Sequence, residues 1–528
     1  MKVSFDVRTE PWIPVDGWER PLASLTEVVA CAHRIRRIAG ETPPMTAALY
    51  RLVLAVFHRV YGPGRRADWA GLWAAGSFDR VPLKEYFSRH DKRFDLFDAG
   101  FPFLQCPELP AARKASVAKL IPHRSVGNNV TLFDHTTAAD RVELSPGEAA
   151  RWLVTARAFD PGGMKTPYLR EKHSVRAPCN EFGVVLVEGA TLKETLLLNA
   201  IRYAPEDERP STTTPGDAPE WERVPPSPHP GARAADGWTD VLTWPSRRIR
   251  LLPEVTGGVP VVAEAVLTPG DRLLDELPDA EFMAAYRTPT AAGGRPKPGA
   301  PMLPVRLYPV RGIWRHSVEL LLTDPRAEER TRQRPRALKQ LAELVRQEEI
   351  PAETLYTLRV FGQQLDAKAS VVEGYLEDEV PAPVALVQAT DGRLAVLVGS
   401  AVQLADDAGS ALRSLRNEYR RALRAKAGAS LDLGYWPALA RPFSVFLREV
   451  NEARLRGLPE TRAAEAWKRV VTGTAERAAE TWAAGVVARD RALAVLGREH
   501  AAFRLRLAKH AKNFDGLVAK YVMKETSQ

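Results

Sequence analysis

Cysteine is scarce. Cys31, Cys106 and Cys179 are the only three in 528 residues, and none stands in a CxxC spacing. Such a set builds neither a disulfide framework nor a thiolate zinc site, and it suits a reducing, cytoplasmic setting. A long uninterrupted apolar run is missing as well. The most apolar stretch, TAALYRLVLAVFHRVYG, carries Arg51 and His58, so it predicts a buried core helix and no membrane span. The first residues, MKVSFDVRTEPWIPV, lack the basic-then-apolar pattern of a secretory signal. Catalytic signatures are absent too. There is no GxxxxGKS/T, GxSxG or HExxH, and the ten histidines are scattered, with His33, His58 and His500 set in helical patterns.

What is present is basic. Lys and Arg number 74 against 65 Asp and Glu, a net charge of +9. That excess favours a polyanionic partner, although an arginine-rich coding bias gives the same balance. Length and an apolar share of 45% predict two to four domains with ample core.

The periodicities predict an α+β fold: a large mixed N-terminal α/β body with long loops over 1–379 and a C-terminal four-helix bundle over 380–528. KVSFDV, FGVVLVEG, VLTW, GVPVVAEAVL, VRLYPV and YTLRVF read as strands. ETPPMTAALYRLVLAVFHRVYG, SPGEAARWLVTA and TLKETLLLNAIRY read as helices, the first with Thr and Pro at its start and Gly62 at its end. Residues 204–237 and 287–304 are rich in Pro and polar groups and read as long loops. EGYLEDE, 373–379, reads as a loop or helix cap. Four apolar stripes define the bundle: Leu412, Leu415, Tyr419 and Leu423; Phe443, Phe446, Leu447 and Val450; Trp467, Val470, Val471, Ala478 and Trp482; Leu493, Leu496, Phe503 and Leu507. Arg413, Arg416, Arg420, Arg421, Arg424 and Lys426 form a basic run that is either a solvated face or a polyanion contact.

Three stretches offer contact chemistry. RAFDPGGMKTP places Gly162 and Gly163 before Lys165. The spacing is too tight for a phosphate loop, and Pro167 removes a backbone donor. Paired glycines still let backbone N–H groups approach a bulky ligand, such as a nucleic-acid backbone; the alternative is a plain turn. PHRSVGNNVTLFDHTT offers Leu132, Phe133 and Asp134, with the aromatic either folded to the core or set against bases. FGQQLDAKAS follows a strand, and its Gln363 and Gln364 can reach base edges or cap a turn.

Together these pieces resemble one family, CasA, the large subunit of the type I-E CRISPR surveillance complex Cascade. PWIPV (Pro11–Val15), FPFLQ (Phe101–Gln105), GNNVTLFDH, GGMK (Gly162–Lys165), LKETLLLNAI and GQQLDAKASV stand in the family's order. The resemblance implies a non-catalytic subunit that recognises a protospacer-adjacent motif in double-stranded DNA, mostly through the minor groove. It implies help with duplex opening and R-loop formation, crRNA-containing Cascade subunits as partners, and a landing surface for a helicase-nuclease. No cofactor, no metal and no membrane are implied. The DNA-binding residues carried over are Leu132, Phe133 and Asp134 in a first loop, Gly162, Gly163 and Lys165 in a glycine loop, and Gln363, Gln364, Lys368 and Ala369 in a wedge loop. Asp160 and Pro161 precede the glycines where more glycine-rich versions exist. Lys368 stands in place of a glutamine wedge, so it can wedge or neutralise phosphate while amide readout is lost there. Gln363 and Gln364 take over that readout, or the register shifts. Lys297 and Arg295 are candidates for the family's minor-groove lysine. Two other readings are a nucleotide-dependent enzyme using Gly162–Lys165 and a helical scaffold without DNA contact.

Overall fold

Thr42 accepts a hydrogen bond from the Met45 N–H at 3.3 Å, and two prolines preset the first turn, so the apolar stretch starts as a helix at Pro43 and runs to Tyr61. The computed structural model describes residues 3–124, 141–168, 171–289, 297, 299–308, 310–321, 332–351, 353–383, 386–387, 392–424, 430–485 and 490–523. The Pro43–Tyr61 helix is buried from Pro44 to His58. No helix among the described residues is long and apolar enough to cross a membrane. Arg51 sits in its middle, 3% exposed, with Nη1 2.8 Å from the Glu281 carboxylate and Nη2 3.1 Å from the Val241 carbonyl. A charge that deep is tolerated because it is paired and hydrogen-bonded.

The chain divides into two units. The first comprises Met1–Leu307, Pro335–Gln340 and Arg359–Glu377; the second comprises Tyr308–Arg334, Leu341–Leu358 and Asp378–Gln528. Two segments well upstream of 379, Tyr308–Arg334 and Leu341–Leu358, belong to the same unit as the C-terminal helices.

In the first unit the Pro43–Tyr61 helix packs against a second helix, Pro146–Phe159. Ser145 and Glu148 cap that helix reciprocally. Strands Arg247–Thr256 and Val259–Pro269 form an antiparallel hairpin with an irregularity between Val262 and Glu264, and Ala115–Ser116 pairs on its other edge. Strand Gly163–Tyr168 pairs antiparallel with Glu171–Ser174. In another sheet Leu355–Leu365 lies between Val184–Glu188 and Val372–Pro383. Arg359 bridges Glu188 at 2.8 Å and Glu377 at 2.5 Å across it.

Several local readings change. Among its described residues KVSFDV makes a single bridge, Asp6 to Asp95. VLTW falls at the end of a short helix, Trp238–Leu242. EGYLEDE is part of the strand Val372–Pro383. VRLYPV, 305–310, begins just after a two-residue strand, Leu303–Pro304, and its described residues are not in a strand. Residues 204–237 are a loop, yet an embedded one: Glu222 pairs with Arg59 at 2.7 Å, and Asp217 accepts from Tyr203 Oη at 3.0 Å.

The second unit carries helices Gly392–Leu423, Pro437–Leu455, Thr461–Ala484 and Asp490–Met523, with a short Asp432–Tyr435 turn between the first two. Trp314, Phe443 and Trp467 meet in its core, with ring centroids 4.7–5.8 Å apart. Leu412, Leu415, Tyr419, Phe443, Phe446, Leu447, Val450, Trp467, Val471, Ala478, Phe503 and Leu507 are buried, whereas Leu493 is 50% exposed. The basic run does not form one face. Arg413, Arg416 and Arg420 are half-buried, while Arg421 and Arg424 are exposed. Lys426 lies outside the described residues.

Arg51→Ala leaves the Glu281 carboxylate buried without its partner and is expected to cost about 3–5 kcal/mol. The Arg51→Met/Glu281→Leu double variant should recover most of that loss. Chemical denaturation of the three proteins checks it, and a single-variant loss below about 1 kcal/mol contradicts the pairing's role.

Candidate nucleic-acid interface

The Pro146–Phe159 helix ends at Asp160, and its C-terminal carbonyls set up the turn that follows. Asp160 is 4% exposed. Its carboxylate meets Arg247 Nε at 2.5 Å and Lys165 Nζ at 2.7 Å. Its backbone carbonyl accepts from Ala177 N at 3.0 Å and from Asn180 Nδ2 and Arg247 Nη2, both at 3.1 Å. Arg247 also holds the carbonyls of Pro161 at 3.0 Å and Val175 at 2.9 Å. Burial works to raise the Asp160 carboxyl, but Lys165 and Arg247 hold it below the usual carboxylate range. The Lys165 ammonium is pulled below the ordinary lysine value by burial, with Asp160 acting against that shift.

Lys165 is thus placed differently from the phosphate contact expected of it. Its side chain is 13% exposed and serves as an internal counter-ion, because a carboxylate this buried requires one. The strand alternation that turns Lys165 inward turns Met164 outward, 74% exposed.

Gly162 and Gly163 touch the wedge loop directly. The Gly162 N–H donates to the Ala369 carbonyl at 2.9 Å. A Cβ on Gly162 would lie 3.2 Å from that carbonyl oxygen and from Arg176 N; one on Gly163 would lie 3.3 Å from Ser370 Cβ. Gly163 has φ +102°, a region that side-chain-bearing residues rarely adopt. The glycine stretch and the wedge stretch, far apart in the chain, form one surface within the first unit.

The wedge tip is shaped by Asp366. Its carboxylate accepts from Ser370 N at 2.7 Å, Val371 N at 2.8 Å and Lys368 N at 3.2 Å. Those backbone donors, Val371 and Ser370 foremost, keep its carboxyl below the usual range. Ala369 is held at φ +54°, which presents its carbonyl to Gly162. Lys368 stands exposed at the tip. Gln363 faces away from the tip: its Nε2 donates to the Phe159 carbonyl and to Asn180 Oδ1, both at 2.6 Å. Gln364 Nε2 donates to Glu373 at 2.6 Å. Neither amide is directed to a groove here, since each satisfies a nearby acceptor. Leu132, Phe133 and Asp134 lie outside the described residues, as does Arg295. Just upstream, His123 Nδ1 is 2.9 Å from Tyr375 Oη on the same hairpin.

One residue escapes sequence reasoning. Lys119 lies on the short turn Val117–Leu120, whose other three residues are buried, and is itself exposed. That turn packs against the Val259–Pro269 strand, which also packs against Gly163–Tyr168. Its charge acts on the Lys165 ammonium. The only signal in SVAKL is one lysine among apolar and small residues, which is too common to single out.

A phosphate cradle of the nucleotide-binding kind does not fit this geometry. Gly162 already donates its N–H, Lys165 is committed to Asp160, and a strand follows the glycines where such a cradle needs a helix N-terminus. Among the described residues, no group of three or more His, Cys, Asp or Glu could hold a metal ion.

The model of the family "CRISPR-associated protein Cse1" matches residues 6–478. The CRISPR-associated protein CasA/Cse1 of Thermus thermophilus is 33% identical over 532 residues, covering 94% of this chain and 98% of that protein. The crystal structure of Cse1 from Acidimicrobium ferrooxidans superposes with a TM-score of 0.78 at 26% identity, over 97% of this chain and 99% of that one. A chain in the structure of a CRISPR RNA-guided surveillance complex shares the fold, with a TM-score of 0.71 at 21% identity over 95% and 99%.

The Asp160 network has a signed pH dependence. A carboxyl held below its unfolded value of about 3.9 contributes stability that is complete above that value and is lost as pH falls through the native one. Asp160→Asn should lower the melting temperature near neutral pH, with a deficit that narrows as pH falls below about 4. A deficit constant down to about pH 3 contradicts the assignment. Lys165→Ala should cost about 1–3 kcal/mol, less than full loss of the pair because Arg247 remains. An unchanged melting temperature would sink that reading.

Proposed function

This chain belongs to the CRISPR-associated Cse1 family, and from that premise we propose that it is the non-catalytic large subunit of a crRNA-guided antiviral surveillance complex, reading the protospacer-adjacent motif in double-stranded DNA. In this reading it promotes duplex opening and R-loop formation in the cytoplasm and provides the landing surface for the helicase-nuclease. The supporting observation is the Gly162 N–H to Ala369 carbonyl bond. It joins a backbone stretch without side chains to a hairpin tip carrying an exposed lysine, a shape suited to lying along a groove while a cation rests on phosphate. Lys119 supplies a second exposed cation near that surface.

Each residue then has a role. Gly162, Gly163 and Ala369 set the close-approach surface. Lys368 neutralises phosphate, and Lys119 takes the phosphate role first given to Lys165. Asp160, Lys165, Arg247 and Gln363 position the surface from behind, and Gln364 braces the hairpin through Glu373. Leu132, Phe133 and Asp134 join the proposed interface on the family resemblance alone.

The test is duplex binding by the complex reconstituted with guide RNA, over a salt series. Each lost phosphate contact lowers the slope of log affinity against log salt by about one unit. Lys368→Ala and Lys119→Ala should each do so, uniformly across DNA sequences, while Lys165→Ala leaves the slope of the folded protein unchanged. Equal binding of motif-bearing and motif-free duplexes by the wild-type complex would overturn the function proposed. A slope change for Lys165→Ala alone would return the phosphate to that residue.

A further inference from the structure

We infer that Met164 is an apolar wedge that enters the duplex beside the motif and unstacks one base step, while the lysines near it rest on phosphates. The inference rests on the DNA-reading role proposed above and names the group that opens the helix.

Met164 is a large apolar side chain left 74% exposed in a strand whose next residue is turned inward. Strand register places it opposite His173, directly after the Gly163–Ser174 pair. It therefore stands one residue from the point where Gly163 approaches Ser370 of the wedge tip. Val175, which follows Ser174, is 59% exposed and widens the apolar spot. The occupant we commit to is a base step of duplex DNA, because this spot follows Gly163, which meets Ser370 two residues from the exposed Lys368, and because the turn carrying the exposed Lys119 packs on the Val259–Pro269 strand beside Gly163–Tyr168. An apolar site shared with cations fits stacked bases between phosphates.

The chemistry of the two side chains divides the work. An ammonium has no apolar area to replace the stacking it would disrupt, so Lys368 is a poor wedge and a good phosphate partner. Minor-groove proteins that kink DNA insert Phe, Leu, Ile, Met or Pro between base steps. Methionine is unbranched and flexible, so it can follow a narrow groove and spread against exposed base faces. Gly163, at φ +102°, lets the strand begin close enough to the tip to present it.

Opening is read with 2-aminopurine at the first base pairs beside the motif, using the complex reconstituted with guide RNA. Met164→Ala should keep initial duplex association within about twofold and slow opening by about tenfold or more. Met164→Leu, which restores apolar bulk, should return opening to within about threefold of wild type. Lys368→Ala should show the reverse, with weaker association and a smaller effect on opening. Opening by Met164→Ala at the wild-type rate overturns the proposal. So does failure of Met164→Ala to join the complex, which would make the methionine a contact with a partner subunit. A wild-type complex that opens motif-free duplex equally fast overturns the DNA-reading function together with the wedge, whereas the first two outcomes leave that function standing.

Discussion

A carboxylate buried at the end of a helix must find cations, and the turn at Gly162 is built around how Asp160 finds them. Arg247 arrives from the long hairpin and Lys165 from the strand that follows. Arg247 also gathers the carbonyls of Pro161 and Val175, so a single guanidinium fixes both arms of the loop. The backbone that results has one outward commitment, the Gly162 N–H to Ala369. That bond and the Gln363 amide, which donates to the Phe159 carbonyl and to Asn180, tie the two loops together. Arginine suits this place because its planar fork serves several acceptors while staying charged.

Elements with strong local signals were legible in the sequence. Thr42 caps its helix as the sequence suggests, and most of the apolar stripes of the C-terminal helices are buried, with Leu423, Val470, Trp482 and Leu496 half-buried and Leu493 exposed. Failures came where a distant partner decides. VLTW joins a helix because Gly237 starts it and Asp217 accepts from the Thr239 and Asp240 N–H groups, each at 3.0 Å. EGYLEDE looked like a loop because it is charged, but Val372–Pro383 is an edge strand of its sheet, and an edge strand tolerates charge on its open face. The 204–237 loop looked peripheral because its anchors are carboxylates, Asp217 and Glu222, whose partners lie far away in the chain.

At the candidate site the order of the motifs was legible, and the directions of their side chains were not. Composition marked Lys165 as the cation after two glycines, yet strand alternation sends it inward and leaves Met164 outside. Gln363 carried an amide suited to base edges, yet its Nε2 is already committed to the Phe159 carbonyl and Asn180. Facing is set by which neighbours need a charge or a donor, and those neighbours come from the long hairpin and the 178–180 turn. Lys119 is the converse: its neighbours in sequence are buried, so it is the one residue of its turn left to face solvent.

This geometry also determines which residues can separate a reading surface from a plain turn. At Gly163 any side chain is strained by the backbone angle alone, and at Gly162 it meets two backbone atoms at 3.2 Å. Substitutions there disturb the loop whether or not DNA ever touches it, so a loss of binding would report on the turn. The same holds for Asp160, Lys165 and Arg247, whose contacts are internal. Met164, Lys368 and Lys119 are different, because their outward groups contribute little to the folded state. Losses at these three that appear only with nucleic acid present report on the interface itself. The inward residues build the surface and the outward ones carry its contacts, so the stability of the loop and its contacts with a partner can be varied independently.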